Sequence, residues 1–256
     1  MLAKERRLLL VTELNRTGKL VTSEIASQLG VSDVTIRADF DHLERQGRLT
    51  RTHGGAIPAD ASAAVVAFDL RLGMRAEAKR SIALRAAEFI GSDQTIILDA
   101  GTTTHHLAQV IPEVSNLTVY TPGISLAQQL LGVDGVEVHL FGGRVDSVWL
   151  QTVGPPLAQG IKGLLAHTVF LGAYGIDDDL DIVDQSSAMA KVKQQYVRRA
   201  RRVVLLADSS KIGRTGKTKV MAIDRVDILI TDDEISPADR KRLAERDIEL
   251  IIADHT

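Results

Sequence analysis

Seven short apolar runs, at 95–99, 117–121, 136–141, 168–171, 203–207, 228–231 and 248–252, constrain this fold more than any other feature of the chain. A strand with one wet face alternates apolar and polar residues. These runs are close to continuous, so both of their faces are expected to be covered. Most gaps between them are long enough for a helix. A helix over about 76–90, with Ile82, Ala86, Phe89 and Ile90 apolar, leads into the first run. Strands buried on both faces and alternating with helices predict an α/β domain built on a mainly parallel sheet.

The residues that follow these strands are polar, small or charged. Asp99-Ala100-Gly101-Thr102-Thr103-Thr104 follows the first, Thr121-Pro122-Gly123 the second and Gly142-Gly143-Arg144 the third. The fourth is followed by Gly172-Ala173-Tyr174-Gly175-Ile176-Asp177 and the fifth by Asp208-Ser209-Ser210-Lys211. Open α/β sheets bind ligands at the carboxyl ends of their strands. Backbone N–H groups and hydroxyls at 101–104 can receive an anion, and Lys211 adds a full positive charge. Taken singly, Gly101-Thr102-Thr103-Thr104 is a helix cap and Gly142-Gly143 a turn. Together they predict a pocket for a small phosphorylated, polyhydroxylated molecule. Its candidate residues are Asp99, Gly101, Thr102, Thr103, Thr104, Thr121, Gly143, Arg144, Asp177 and Lys211.

Other features invite duller readings. His105 and His106 point about 100° apart if helical, and no third ligand stands at metal spacing, so no metal site is expected. The run Arg198-Arg199-Arg201-Arg202 resembles a nucleic-acid patch, but it ends a helix, where cations complement the dipole. Trp149, the single tryptophan, is read as a packing or interface residue.

The first 57 residues have a different organisation. Residues 4–15 read as a helix with Leu10, Val11 and Leu14 on its apolar side. Thr22 is the expected cap of a second helix with Ile25, Ala26 and Leu29 inside, and Gly30 ends it. Ser32 then caps a third helix, with Asp33 in its first turn and Ile36, Phe40 and Leu43 as its buried stripe. Val34, Arg37, Ala38, Asp41 and Arg45 fall on the opposite face. Two helices joined by Gly30-Val31-Ser32 have the form of a helix-turn-helix, with Thr35 and Arg37 placed to read a major groove. The segment 48–56 alternates like a short strand and carries Arg48, Arg51 and His53 before Gly54-Gly55, a turn whose backbone can approach a phosphate. Ser32, Thr35, Arg37, Arg45, Arg48, Arg51 and His53 are therefore the expected contacts to double-stranded DNA. An ordinary three-helix module shares the apolar periodicity but not the wing.

Length and charge agree with this division. A chain of 256 residues accommodates a small domain and a larger one. The expected boundaries are 1–57 for the winged helix-turn-helix, 58–74 for a connector and 75–256 for the α/β domain. Through residue 57 nine Lys/Arg face seven Asp/Glu, a net +2 that leaves −4 for the remainder of a chain of net charge −2. With no cysteine, disulfides and thiolate chemistry are excluded, and a reducing cytoplasm is the expected setting. The N-terminal apolar run at 8–11 is too short for a signal peptide, and no later segment reads as a membrane span.

Two blocks, in order, carry a resemblance. Val31-Ser32, Thr35 to Phe40 and Arg51-Thr52-His53-Gly54-Gly55-Ala56 form the first. Leu98-Asp99-Ala100-Gly101-Thr102-Thr103, Phe141-Gly142-Gly143 and Leu206-Ala207-Asp208-Ser209-Ser210-Lys211 form the second. The chain resembles the DeoR family of bacterial sugar-metabolism regulators over essentially its whole length. The resemblance implies a winged helix-turn-helix joined to a sensor domain similar to pentose-phosphate isomerases. It also implies phosphorylated sugars as effectors that usually relieve repression, no cofactor, and an oligomer, dimer or tetramer, built from dimers. By position, Asp99, Gly101, Thr102, Thr103, Gly143, Asp177 and Lys211 would line the effector pocket.

The chain departs from the family pattern at three places. Thr121-Pro122-Gly123 stands where Thr-Asn-Ser is usual, Ala38 replaces a second arginine, and Met189 stands where a glutamate precedes Lys193 by four residues. The Asp177-Asp178-Asp179-Leu180-Asp181 stretch would repel a nearby phosphate. The competing reading is a sugar-phosphate isomerase-like enzyme with an accessory DNA-binding domain. Met189, which cannot abstract a proton, argues against it, as does the expected lack of a carboxylate pair beside a lysine. Whether such a regulator represses or activates is not legible in the residues.

Overall fold

All seven apolar runs become strands of one sheet in the computed structural model, which describes residues 3–17, 19–46, 48–52, 54–58, 68, 71–146 and 149–254. The chain divides into two units, Met1–Leu70 and Arg71–Thr256.

The first unit holds α1 (Ala3–Thr17), β1 (Leu20–Val21), α2 (Thr22–Leu29), α3 (Asp33–Arg45), β2 (Leu49–Thr52) and β3 (Gly55–Pro58). Leu10 and Leu14 of α1 meet Ile36, Phe40 and Leu43 of α3 and Leu49 of β2 in one core. The Ser32 hydroxyl accepts the Thr35 N–H at 3.2 Å, which starts α3 at the predicted residue. Gly30 adopts φ 64°, the left-handed turn that closes α2.

Thr22 corrects the sequence reading. It is the first residue of α2 rather than its cap, which is Val21, still in extended backbone. The cause is β1, whose Leu20 and Val21 pair with Ala56 and Gly55. That pairing also explains Gly55, where a Cβ would lie 1.7 Å from the Leu20 carbonyl oxygen. The glycine serves close approach to β1 inside the protein.

Beneath α3 lies an ion cluster that periodicity alone did not reveal. Asp39, 1% exposed, takes Arg6 Nε on one oxygen at 2.5 Å and Arg7 Nε on the other at 2.7 Å. The cluster ties α1 to α3. Removing one partner of a buried pair costs about 3–5 kcal/mol, because the other charge stays buried.

The second unit begins with a helical turn at 71–73, inside the expected 58–74 connector; residues 59–67, 69 and 70 of that connector lie outside those described. Next come α4 (Ala76–Ala87), β4 (Thr95–Leu98), α5 (Thr102–Ala108), β5 (Leu117–Thr121), α6 (Ile124–Leu130) and β6 (Val136–Leu140). The hairpin β7 (Arg144–Asp146) and β8 (Gln151–Val153) leads to α7 (Pro155–Ile161), β9 (Ala166–Gly172), β10 (Gly175–Ile176) and β11 (Asp181–Asp184). Then follow α8 (Ser187–Arg199), β12 (Ala200–Leu206), β13 (Thr218–Ala222), β14 (Ile228–Asp232), α9 (Pro237–Ala244) and β15 (Glu249–Ala253).

The large sheet has the order β15-β14-β12-β9-β4-β5-β6, and all its pairings are parallel. Alternate side chains feed two cores. Ile96, Leu98, Phe170, Val204, Leu206 and Ile230 pack with Ile82, Ala86, Leu107 and Leu126 of α4, α5 and α6. Ile97, Val169, Leu171, Val203, Leu205 and Leu229 pack with Leu157, Tyr196 and Leu243 of α7, α8 and α9. Helix α4 ends at Ala87, three residues short of the expected end. Phe89 and Ile90 continue it as turns, donating to Ala86 and Ala87. The β7–β8 hairpin and the antiparallel β10-β11-β13 sheet were not expected from the apolar runs.

Chain order along the sheet locates the cleft. From β4 the chain moves outward through β5 to β6, returns to β9 beside β4, and then moves the other way through β12, β14 and β15. The direction reverses between β4 and β9, and such a switch point opens a crevice at the strands' carboxyl ends.

Candidate functional site

Asp99 follows β4 and Gly172 ends β9, so these residues face each other across the switch point. Asp99 is fully buried; its Oδ2 accepts the Gly172 N–H at 3.2 Å and lies 3.3 Å from Lys193 Nζ. Lys193, buried in α8, also donates to the Gly172 carbonyl at 2.9 Å and lies 3.1 Å from Asp184 Oδ2 at the end of β11. Burial pushes the Asp99 carboxyl above its ordinary range, although Lys193 pulls it back. Burial works against the Lys193 ammonium too, but Asp99 and Asp184 hold it above its usual value.

The trio overturns one expectation: a carboxylate pair does stand beside a lysine. Asp99 precedes Asp184 by 85 residues and Lys193 by 94, so the trio was invisible as a spacing motif; strand ends and one helix bring it together.

Three buried polar atoms near this trio lack a hydrogen-bond partner among the described residues: Asp99 Oδ1, Gln151 Oε1 and the Tyr196 hydroxyl. Gln151 sits on β8 and donates to Met189 Sδ at 3.1 Å, one helical turn before Lys193. The Tyr196 hydroxyl is held neutral, its pKa raised by burial and by the nearby Asp99. Buried polar groups are rarely left unpaired, so these atoms favour a polar guest.

The predicted pocket residues divide by availability. Thr102 is partly exposed and Thr103 is buried, and neither hydroxyl has a protein partner among the described residues. Thr104 is spent on the loop itself, its hydroxyl donating to Asp99 O at 2.6 Å and Gly101 O at 3.0 Å. The Thr121 hydroxyl accepts the Gly123 N–H at 3.0 Å. Asp177 Oδ1 accepts the N–H groups of Asp179 and Asp181, closing its own turn. Gly143 and Arg144 open β7, the exposed strand of the β7–β8 hairpin, while buried β8 folds back on the ends of β5 and β6 through Thr152 N–H to Pro122 O at 2.8 Å and the Thr152 hydroxyl to Phe141 O at 2.6 Å.

Lys211 brings partners that sequence reasoning missed. Asp208 and Asp232 cap the loop before it: the Ser209 N–H donates to Asp232 at 2.6 Å, and the Ser210 hydroxyl bonds Asp208. Arg75, in left-handed backbone at φ 52°, bridges Asp232 at 2.9 Å, Asp208 at 3.3 Å and Glu234 at 3.2 Å. Behind it Lys79 of α4 is 4% exposed and bonds the Arg71 carbonyl. Burial, only partly offset by Asp208 and reinforced by Lys211 and Arg71, lowers the Lys79 pKa to about 8. Burial lowers Lys211 as well.

The DNA-facing candidates divide similarly. Arg37 and Arg48 are exposed and have no side-chain partner among the described residues. Val34, also on that face, is 73% exposed. The Thr35 hydroxyl shares a 2.9 Å hydrogen bond with Ser32. Arg45 Nε donates to Asp41 O at 3.1 Å. The Arg51 guanidinium pairs with Asp41, and its N–H donates to Glu44 Oε1 at 2.7 Å. His53 lies outside the described residues.

No group of three or more His, Asp or Glu side chains that could hold a metal occurs among the described residues. Likewise, no described helix is long and apolar enough to cross a membrane.

Residues 6–61 match the DeoR-like helix-turn-helix domain, and residues 74–233 match the DeoR C terminal sensor domain. A putative aga operon transcriptional repressor of Escherichia coli O157:H7 is 29% identical, over 97% of this chain and 93% of that protein. The L-fucose operon activator of Escherichia coli K12 is 30% identical, over 86% of this chain and 90% of that protein. Among solved structures, a D-ribose-5-phosphate isomerase in complex with phospho-erythronic acid is similar at a TM-score of 0.38 and 18% identity, over 52% of this chain and 53% of that one. With a helix-turn-helix at one end, a sensor domain over most of the remainder and relatives that span nearly its whole length, the chain belongs to the DeoR family of DNA-binding transcription regulators.

Proposed function

We propose that the chain is a cytoplasmic repressor of a carbohydrate-metabolism operon, released from operator DNA when a phosphorylated sugar enters the crevice between β4 and β9. The observation that carries this reading is the unpartnered Asp99 Oδ1 at the switch point, near the free hydroxyls of Thr102 and Thr103. Asp99 and Gln151 suit sugar hydroxyls. Lys79 and Lys211 suit the phosphate. On the DNA side, Arg37 and Val34 face base edges, while Arg48 and Arg51 hold phosphates.

Release requires the effector to prefer the arrangement that does not bind DNA. The Lys79–Arg71 bond offers a route. A bound phosphate competes with the Arg71 carbonyl for the Lys79 ammonium, loosening the residue at which the sensor unit begins. A preference of about 1–3 kcal/mol changes operator affinity roughly 5- to 150-fold. The test is a titration of the protein–operator complex with a panel of sugar phosphates, read by fluorescence anisotropy. At least one is expected to release the DNA; indifference to all of them would sink the reading.

The Asp99–Lys193–Asp184 trio favours one second reading, an isomerase-like activity on the same sugar phosphates. Lys193 is already engaged by both carboxylates, and Met189 supplies no base, so binding without turnover is expected. Conversion of pentose phosphates by the purified protein would instead establish the enzyme.

A further inference from the structure

We infer that the groove between α7 and α8 is a second anion site, shaped for a small phosphorylated metabolite and separate from the crevice at β4–β9. The groove encloses about 500 Å³, within the usual range of small-molecule sites. Lys162 at the end of α7 converges there with Arg198 and Arg199 in the last turn of α8. Among the described residues no carboxylate pairs with any of these three cations, and none lines the groove. Ile161, 1% exposed, forms part of an apolar floor, and the amides of Gln159 and Gln195 offer hydrogen bonds beside it.

Charge arithmetic separates this site from ordinary helix-end complementarity. Two helix C-termini contribute roughly −0.5 each, which offsets about one of the three positive charges. About two remain, and a phosphate monoester at neutral pH carries about −1.5 to −2. The wider arginine run does not form one nucleic-acid stripe. Arg202 leaves the groove and lies over the Phe89 ring at 5.9 Å, beside the α4 layer on the other face of the sheet. What remains is a pocket rather than a track.

The site also communicates by position. Arg198 is five residues from Lys193 on the same helix, and Lys193 holds the crevice trio. An anion in the groove therefore bears on the helix that positions Asp99 and Asp184. This site does not depend on the effector reading above.

The test is calorimetric titration of the full chain with inorganic pyrophosphate. Wild type is compared with Arg198→Gln/Arg199→Gln, with Lys162→Gln and, for the crevice, with Lys211→Gln. The double variant should weaken one binding event at least about tenfold and Lys162→Gln the same event several-fold, with Lys211→Gln leaving that event unchanged. A double variant that titrates like wild type overturns the site. So does an unchanged event in Lys162→Gln, which would trace the arginine effect to α8 itself. Pyrophosphate binding unaltered, with weakened binding to random-sequence DNA instead, would reassign the arginines to nucleic acid and equally overturn the proposal.

Discussion

Lys193→Met tests whether the crevice is built on a buried, lysine-centred ion cluster. The substitution keeps an unbranched side chain of similar length and removes the charge. It leaves Asp99, fully buried, and Asp184, 7% exposed, without the ammonium that lies 3.3 and 3.1 Å away. Breaking a buried pair costs about 3–5 kcal/mol. In a domain of this size each kcal/mol moves the melting temperature by about 2–4 °C, so a fall of about 6–20 °C is expected. The sign of the pH dependence is also fixed. Burial already raises the Asp99 carboxyl, and without Lys193 it rises further. Between about pH 4, where the unfolded carboxyl titrates, and that raised value, the native variant binds the extra proton, so its stability falls as pH rises. Urea melts at pH 5 and pH 7.5 read this directly, because Trp149, the single tryptophan, lies in the same unit. The deficit should be larger at pH 7.5. A loss below about 1 kcal/mol, or one equal at both pH values, would refute the cluster's assigned role.

Effector affinity should fall as pH rises above about 8, where Lys79 loses its proton in the free protein, by up to tenfold per pH unit; Lys79→Met should flatten that profile, and a flat wild-type profile from pH 7 to 9.5 would place the phosphate elsewhere. On DNA, Arg37→Ala should cost about 1–3 kcal/mol and relax base preference, whereas Arg48→Ala should weaken all sequences and lower the salt slope by about one. Arg51→Ala should lower that slope less, because Asp41 already pairs with its guanidinium; anisotropy across salt concentrations measures all three.

Much of the architecture was legible because burial leaves a one-dimensional trace. Each strand of the large sheet stood out as an apolar run, and Ser32, Ile36, Phe40 and Leu43 set the bounds and inner face of α3. The small sheets of the second unit were not legible. Strands β10 and β11 are two and four residues long, with Asp181 and Asp184 at the ends of the latter, and β7 is exposed, so neither period nor apolarity marks them. Thr22 was misread as a cap because the pairing that keeps Val21 extended comes from Gly55 and Ala56, more than thirty residues later.

The site residues that escaped notice share a signature that periodic reading can recover. Along α8, Met189, Lys193 and Tyr196 occupy one buried stripe at helical spacing; along α4, Lys79, Ile82, Ala83 and Ala86 do the same. A lysine in such a stripe demands a compensating partner, since an ammonium does not enter a core unpaired. For Lys193 that partner is a carboxylate pair and a carbonyl, all inside the protein. For Lys79 it is a single carbonyl, and its pKa falls to about 8. The first lysine is satisfied and the second is not. The difference assigns them distinct parts in the proposed mechanism: Lys193 shapes the crevice whether or not it is filled, and Lys79, only partly offset by Asp208, gains a directly bound counter-charge when an anion arrives.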